Sequence, residues 1–220
     1  MRLVGHLAKR IIMANLFFIC GPHCCGKTTV LKRLEEDGDI SFRGFEIGGD
    51  LFHKRKFLTE TASEAFELEV AHLEIQRDIE FINYNGIIGV ETWHPGNMAY
   101  AAVRNPKIIP CLCEMAVKSP FIDNAFGVWI VIDKDEIRKR TQMYQKRANW
   151  ACEFYEKVNS HIGDCLKSLS LFHRVEVIDG NQPIEVVVKN VKKYFNSIFT
   201  SIDGKIINYS MQLKKKTNIN

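Results

Sequence analysis

The chain has 220 residues, of which 46% are hydrophobic and 25% charged; these values are typical of a globular domain and exclude a disordered or fibrous chain. A chain of this length buries a sizeable core without disulfides or a structural metal. The formal net charge is +4 at pH 7, and six basic residues stand near the two ends of the chain: Arg2, Lys9, Arg10, Lys214, Lys215 and Lys216. So small an excess argues against polymeric nucleic acid or a membrane surface as the partner.

The cysteines and the first residues bear on the cellular compartment. Cys24 and Cys25 are adjacent, and one residue separates Cys111 from Cys113, so neither pair has the C-x2-C spacing of a zinc site. We expect reduced thiols and a cytoplasmic protein. Residues 1–13 form an N-terminal extension without an acidic residue, which leaves a mitochondrial transit peptide as the alternative. A secretory signal is rejected, because its cleavage would remove the strand that the following motif requires.

Strand and helix signals alternate from residue 15 to residue 200, which predicts a parallel sheet covered by helices on both faces. In chain order, the predicted strands are 15–20, 41–47, 87–90, 126–132 and 174–178. The predicted helices are 27–36, 63–84, 98–103, 109–117 with an interruption at Pro110, 133–169 with a break at 147–150, and 183–199. We expect one domain over 14–200 and a mobile polar tail over 201–220.

A glycine-rich segment follows the first predicted strand. Gly21-Pro22-His23-Cys24-Cys25-Gly26-Lys27-Thr28 matches G-x-x-x-x-G-K-[ST] and lies between a strand and a helix, the context that such a phosphate-binding loop requires. Backbone N–H groups of the loop wrap the phosphates, and the helix directs its positive end at the same charge. Lys27 is expected to bind the β- and γ-phosphate oxygens and Thr28 to ligate Mg²⁺. The predicted binding set is Gly21, His23, Cys24, Cys25, Gly26, Lys27, Thr28 and Thr29.

Three further segments, with the phosphate loop, resemble the thymidylate kinase and deoxynucleoside kinase group of P-loop phosphotransferases over residues 14–197. The first is the segment 45–50, with Phe45 where that group has arginine; the second is 89–94, with Thr92 where an arginine is expected; the third is the strand-to-helix junction 177–185. The resemblance implies a three-layer α/β fold, a five-stranded parallel sheet, a helical lid over 138–150, and ATP and Mg²⁺ as cofactors. It implies phosphoryl transfer to a nucleoside monophosphate or a nucleoside, and a possible homodimer.

Three carboxylates follow predicted strands, at the sheet edge where open α/β sheets bind their ligands. Glu91 is predicted to hold Mg²⁺ or its waters. Glu46 is predicted to contact the acceptor's sugar hydroxyl or to take its proton. Asp50 is assigned to the acceptor site, and a solvated loop carboxylate is the alternative for both Glu46 and Asp50.

The segment after Glu91 carries an aromatic ring, an imidazole and an amide, which favours an acceptor pocket. Trp93 or Tyr100 is expected to stack on a base, with His94 and Asn97 nearby; the alternative places Trp93 in the core and leaves His94 a satisfied polar residue. His72 and Gln76, four residues apart on one helix, either face the same pocket or are solvated.

Arginines beyond the fourth strand resemble the lid of nucleotide-type kinases. Arg140 and Arg147 are predicted to clamp the transferring phosphoryl group, because its charge must be met by fixed cations; a solvated helix face is the alternative. Arg104 and Lys107 are further candidates for an acceptor phosphate. Two other functions stay open: a kinase of another small metabolite, and a nucleotide-binding regulatory protein that hydrolyses weakly.

Overall fold

A five-stranded parallel sheet forms the centre of the computed structural model, which describes residues 15–55, 62–144, 149–202 and 205–208. The strands are β1 (Asn15–Cys20), β2 (Phe42–Arg43), β3 (Ile87–Glu91), β4 (Phe126–Val131) and β5 (Val175–Asp179), in the order β2-β3-β1-β4-β5. The central strand β1 is apolar after its first residue, as expected for a strand covered on both faces.

Eight helices are described, and most of them cover the two faces of the sheet. They are α1 (Lys27–Glu36), α2 (Ile47–Arg55), α3 (Glu64–Phe81), α4 (Trp93–Arg104), α5 (Ile109–Ala116), α6 (Lys134–Tyr144), α7 (Asn149–Ser168) and α8 (Ile184–Ile198). Helix α1 packs against α8, whereas α4 packs against α7 and α3. None of the helices in the described ranges is long and apolar enough to cross a membrane.

Two neighbouring phenylalanines of β1 show how the sheet divides the core. Phe17 meets Phe195 of α8 edge to face, with ring centroids 5.0 Å apart. Phe18 contacts Trp93 of α4 at 4.9 Å. Since successive strand residues point to opposite faces, α8 and α4 lie on opposite sides of the sheet. The predicted three-layer α/β fold with five parallel strands is therefore confirmed.

The second predicted strand, 41–47, is wrong over most of its length. Only Phe42–Arg43 pairs with β3, and α2 begins at Ile47. A Cβ atom at Gly44 would lie 2.9 Å from the Val90 side chain, so this close approach requires glycine. The chain then turns into a helix, where the Asp50 N–H bonds the Glu46 carbonyl. Gly48 and Gly49 lie inside that helix rather than ending a strand.

Two predicted helix boundaries also change. The segment 93–97 belongs to α4 and is not a loop. Pro95 is compatible with the helix because it lies in the first turn, where a backbone N–H would have no partner within the helix. Pro110 occupies the first turn of α5 for the same reason and does not interrupt the helix. A 3₁₀ turn at Pro106–Ile108 separates the two helices.

The ends of the predicted domain differ from expectation in one place. Beyond α8, β6 (Phe199–Ile202) and β7 (Lys205–Asn208) form an antiparallel ribbon where no regular element is predicted. The predicted N-terminal extension 1–13 and residues 209–220 of the predicted tail lie outside the described residues. The predicted lid covers the end of α6 and the start of α7, and residues 145–148 between them also lie outside the described ranges.

Replacing Phe17 by alanine tests how much this core contributes to the free energy of unfolding. Phe17 is fully buried against Phe195 and Phe199, so Phe17→Ala is expected to lower the free energy of unfolding by about 3–5 kcal/mol. Phe172 is 43% exposed, and Phe172→Ala is expected to change it by less than about 1 kcal/mol. Urea unfolding followed by circular dichroism measures both; equal losses would contradict the assignment of the core.

Candidate functional site

The loop between β1 and α1 has the backbone that its glycines predict. A Cβ atom at Gly21 would lie 2.5 Å from the Cys25 sulfur and 2.6 Å from the Ile130 carbonyl oxygen, so no other residue fits there. Gly26 adopts a left-handed conformation, with φ 103°, directly before α1. No side chain caps this helix, so the N–H groups of its first turn point into the loop without a side-chain acceptor.

Lys27 lies across this loop. Its Nζ donates to the carbonyl oxygens of Gly21 and Pro22, both at 3.1 Å, and the residue is 7% exposed. Burial by itself lowers the pKa of Lys27, but its acidic neighbours Cys25, Tyr100, Glu46 and Glu91 raise it above its ordinary value. The ammonium therefore carries its charge at neutral pH, at the position where the sequence predicts phosphate oxygens.

Glu91, at the carboxyl end of β3, meets the hydroxyl of Thr28. The Thr28 Oγ1 donates to Glu91 Oε2 at 2.8 Å. Burial raises the pKa of Glu91, and the negative charge of Glu46 raises it further. Among the described residues, no cluster of three His, Cys, Asp or Glu side chains is arranged to hold a metal ion. Mg²⁺ that is bound to a phosphate takes only one or two ligands from the protein, and a hydroxyl and a carboxylate are groups of this kind.

Glu46 is held by the strained residue that follows β3. Thr92 has φ 68° and ψ −59°, and Trp93 has φ 45°; a positive φ is a genuine outlier for a β-branched residue. The Thr92 hydroxyl donates to Glu46 Oε1 at 2.8 Å, and the Thr92 N–H bonds the Ile19 carbonyl. Strain of this kind persists where the surrounding contacts enforce it, and it clusters at functional sites. Here it brings Glu46 to the same sheet edge as Glu91.

Arg140 of α6 reaches the phosphate loop. Its guanidinium donates to the carbonyl oxygens of Cys24 at 3.3 Å and Gly180 at 2.8 Å, and its Nε pairs with Glu136 at 2.6 Å. The side chain thus joins the loop to the turn after β5. Arg147, the other predicted clamp, lies outside the described residues.

An aromatic pair that the sequence does not reveal lies beside the loop. His23 stacks on Tyr155 of α7, with ring centroids 5.1 Å apart, and burial and the charge of Lys27 lower the pKa of His23. Tyr155 also meets Tyr100 edge to face at 6.5 Å. Burial raises the pKa of Tyr100, so its hydroxyl is a neutral group beside Lys27 at physiological pH. Tyr100 is half-buried at the edge of the site, but it packs on protein rings.

The expectation that Trp93 stacks on a base is wrong. Trp93 is fully buried, and its Nε1 donates to the Asp78 carboxylate of α3 at 3.0 Å. His94 is also buried, with Nε2 3.1 Å from Asp78 and Nδ1 3.3 Å from Glu74. The alternative that places both residues in the protein interior is the correct one, because a buried carboxylate needs these donors.

Asp78 belongs to a buried network between α3, α4 and the turn after α5. Ser119 Oγ donates to it at 2.6 Å, and Arg77 pairs with it at 3.1 Å. Arg77 also pairs with Glu74 at 3.4 Å and donates to the Phe45 carbonyl at 3.3 Å. Burial raises the pKa of Glu74; it acts the same way on Asp78, but hydrogen bonds from His94 and Ser119 and the charge of Arg77 hold the pKa of Asp78 below its ordinary value.

Three predicted acceptor residues lie away from this network. The buried residues of α3 share one face, and at 3.6 residues per turn His72 and Gln76 lie on the opposite one. Both are exposed and hydrogen-bond each other at 3.0 Å, so the solvated alternative is correct for them. Asp50 is an exposed residue in the first turn of α2.

Asn97 lies at the contact between α4 and α2. A Cβ atom at Gly48 would lie 2.6 Å from Asn97 Oδ1, so the two segments approach closely there. Beside it, a cavity of about 10 Å³ has room for one water molecule. A larger cleft, of about 270 Å³, lies between α4 and α7 and is lined by Val103, Arg104, Trp150, Glu153, Phe154 and Lys157.

Arg104 forms a buried ion pair. Its Nε and one terminal nitrogen donate to the two carboxylate oxygens of Glu67, at 2.7 and 3.0 Å. The guanidinium also lies over the Tyr100 ring, 5.5 Å from its centroid. The guanidinium proposed from sequence for an acceptor phosphate thus already has a carboxylate partner.

Comparison with known proteins shows likeness at the level of structure only. No family model matches the chain, and no curated protein matches it. A crystal structure of the NadR protein in complex with NR superposes with a TM-score of 0.65 at 13% identity, over 89% of this chain and 53% of that one. The chain thus spans about half the length of the NadR chains it matches.

Two kinases that this chain matches over nearly their whole length are also similar. Deoxyadenosine kinase from M. mycoides, solved with dCMP and dCDP, gives a TM-score of 0.61 at 13% identity, over 83% of this chain and all (100%) of that one. Thymidylate kinase from Candida albicans gives 0.59 at 15% identity, over 89% and 96%. The fold is that of the P-loop nucleotide kinases, so the resemblance seen in the sequence is confirmed for the fold.

Removing one donor from Asp78 tests the buried network. Ser119→Ala is expected to lower the free energy of unfolding by about 2 kcal/mol at pH 7, because the hydrogen bond is to a charged group. A carboxyl group whose pKa is lowered in the folded state stabilises the protein above its unfolded pKa of about 3.9 and loses this effect as the pH falls through the folded value. The loss in the variant should therefore narrow as the pH falls toward about 4 and below.

Ser160→Ala is the matched control. Its exposed hydroxyl bonds only a carbonyl of its own helix, and we expect a change within about 0.5 kcal/mol. Urea unfolding at a series of pH values measures both variants. A Ser119→Ala loss that stays constant with pH would rule out the charged Asp78 as its source.

Proposed function

We propose that the protein is an ATP- and Mg²⁺-dependent phosphotransferase, and that its acceptor is a small-molecule alcohol of the nucleoside or nucleoside monophosphate type. The observation that carries the proposal is the grouping of Lys27, Glu91 and Glu46 around one phosphate loop. A cation for phosphate, a hydroxyl and carboxylate pair for a metal, and a second carboxylate for an acceptor are the parts that phosphoryl transfer needs.

The loop fits the phosphates of ATP. The N–H groups in the first turn of α1 have no side-chain cap, and Gly26 gives the loop its left-handed turn. Thr28 and Glu91, which are joined by a hydrogen bond, would hold Mg²⁺ or its waters. When bound, Mg·ATP supplies the phosphoryl group and neutralises part of its charge. Lys27 would exchange its bonds to loop carbonyls for bonds to phosphate oxygens.

In the proposed reaction, Glu46 contacts the acceptor hydroxyl. Its carboxylate takes the hydroxyl proton as that oxygen bonds the γ-phosphorus and the bond from phosphorus to the bridging oxygen of the β-phosphate breaks, leaving its electron pair on ADP. Thr92 orients the carboxylate by its hydrogen bond. Positioning of this kind contributes most of the rate in phosphoryl transfer.

Arg140 is placed on the nucleotide side of the loop. Its bonds to the Cys24 and Gly180 carbonyls fix the start of the predicted lid against the loop. Such a fixed cation would stabilise the charge on the transferring phosphoryl group. The paired rings of His23 and Tyr155 border the same side.

A kinase of another small metabolite is the second candidate. The observation that favours it is the pair of positions where the resemblance predicts arginine: Phe45 is 59% exposed and Thr92 is committed to Glu46. An acceptor with a different polar group would suit these side chains. A melting-temperature screen against sugars, nucleosides and nucleotides separates the two candidates.

A coupled assay of ADP formation tests the proposal. With Mg·ATP and a panel of nucleosides and nucleoside monophosphates, we expect acceptor-dependent turnover. Lys27→Ala should lower kcat by about 100-fold or more, because it removes the cation that meets the transferred charge. Lys32→Ala, an exposed lysine of the same helix, should leave kcat within about twofold. Tight ATP binding without turnover on any acceptor of the panel would contradict the proposal.

The coupling between Glu46 and Glu91 predicts a pH effect. Glu91 must be ionised to bind Mg²⁺, and its pKa is raised by burial and then by Glu46. Mg·ATP affinity should therefore fall on acidification at a higher pH than an ordinary glutamate would give. Glu46→Gln removes one of the two causes, so the acid limb of binding should move to lower pH.

Asp50→Asn is the control for that shift, since Asp50 is an exposed acidic residue at the start of α2. Titration of Mg·ATP binding by tryptophan fluorescence between about pH 4.5 and 7.5 locates the acid limb around the glutamate range. An equal shift in both variants would show that a general change of charge, and not the Glu46 carboxylate, sets the pKa of Glu91.

A further inference from the structure

The described arginines on the acceptor side of the site are all paired with carboxylates. Arginine binds a phosphate group best, because its planar fork makes two parallel hydrogen bonds. Four arginines lie in the described residues between 40 and 105, and each forms an ion pair: Arg43 with Glu35, Arg55 with Glu69, Arg77 with Glu74 and Asp78, and Arg104 with Glu67. None of these four is free to receive a phosphate without leaving a carboxylate behind.

Two of these pairs are buried. The side chains of Arg104 and Glu67 are 7% and 2% exposed, and their two hydrogen bonds have the parallel geometry that a phosphate would otherwise use. The side chains of Arg77, Glu74 and Asp78 are at most 1% exposed. Moving either guanidinium to a ligand would leave an uncompensated buried charge, which is strongly unfavourable.

The surrounding charge is negative. Glu46 and Glu91 both lie near Lys27, which the proposed function assigns to ATP. A second phosphate group placed beside Glu46 would therefore meet like charge, and like charges brought together in an interface discriminate strongly against the wrong ligand.

We propose that the acceptor site takes an alcohol without a phosphate group: a nucleoside, of neutral or positive net charge, and not a nucleoside monophosphate. This inference rests on the proposed function and decides between its two acceptor types. The product is then the monophosphate, formed when the nucleoside hydroxyl oxygen bonds the γ-phosphorus of ATP and ADP leaves. The hydroxyl proton passes to Glu46.

The residue at position 92 agrees with this acceptor. The resemblance predicts an arginine there, but Thr92 directs a neutral hydroxyl at Glu46 Oε1. This hydrogen bond orients the Glu46 carboxylate for the acceptor's hydroxyl group and adds no positive charge to the site. A nucleoside needs only that arrangement, whereas a monophosphate also needs cations for its two negative charges.

Matched pairs of acceptors test the inference. Initial rates of ADP formation with Mg·ATP are measured for deoxyadenosine, deoxycytidine and thymidine, each beside its own 5′-monophosphate. We expect at least one nucleoside to be used with a kcat/KM about 100-fold or more above that of its monophosphate. Mass spectrometry of the product identifies where the phosphoryl group was added.

Glu67→Gln tests the part played by the paired arginine. The amide keeps a hydrogen-bond acceptor beside Arg104 but removes the negative charge, so use of the monophosphate should rise and the nucleoside preference should fall by about 10-fold. Glu69→Gln is the matched control, since its pair with Arg55 lies on the exposed surface, and it should leave the preference unchanged. Thermal melting checks that both variants fold; if Glu67→Gln does not, the wild-type ratios decide alone.

Each result has a separate meaning. Nucleosides preferred by about 100-fold support the inference. Monophosphates used as well as nucleosides, or better, would overturn it and leave the proposed phosphotransferase intact. ATP binding without transfer to either member of any pair would instead contradict the proposed function, and the inference would fall with it.

Discussion

The candidate site depends on one buried carboxylate that lies outside it. Asp78 takes hydrogen bonds from Trp93, His94 and Ser119 and an ion pair from Arg77. A buried charge is stable only with such partners, and these partners come from three separate segments of the chain. Asp78 thereby fixes the start of α4 against α3 and against the turn after α5.

That constraint reaches both carboxylates of the site. Because Trp93 and His94 are held by Asp78, the chain must turn sharply directly after β3, and Thr92 and Trp93 take strained conformations with positive φ there. The same network holds the Phe45 carbonyl through Arg77, directly before Glu46. Thr92 and Glu46 then meet through one hydrogen bond. Packing elsewhere in the molecule thus maintains the strained backbone of Thr92, as expected for strain of this kind.

The sequence predicts what is local and periodic. The apolar run of β1, the glycine spacing around Lys27 and the carboxylate at the end of β3 need no distant partner to be recognised. Trp93 was not predictable in the same way, because its partner Asp78 lies 15 residues earlier on a helix. An aromatic residue followed by Pro95 and Gly96 is typical of a loop, and only the packing of α4 makes it the start of a helix.

One signal for the network is present in the sequence. The apolar face of α3 carries Glu67, Glu74, Arg77 and Asp78 among its buried residues, and charges in such positions predict buried partners. The partners themselves remain hidden, since Ser119 follows 41 residues after Asp78. For the same reason Arg104 looks like an available cation in the sequence, although Glu67 neutralises it in the fold.

The partners of the basic side chains differ between the two sides of the candidate site. On the side of α1 and α6, Lys27 donates to backbone carbonyls, which carry no net charge, so its positive charge stays available to phosphate oxygens. Arg140 donates to two backbone carbonyls and pairs with Glu136. On the side of α2, α3 and α4, arginines donate to carboxylates, and their charge is cancelled. Lys27 thus offers a cation to a phosphate group on the first side, whereas the described arginines of the second side are paired with carboxylates; this difference is the basis on which a phosphoryl donor and an uncharged hydroxyl acceptor are proposed.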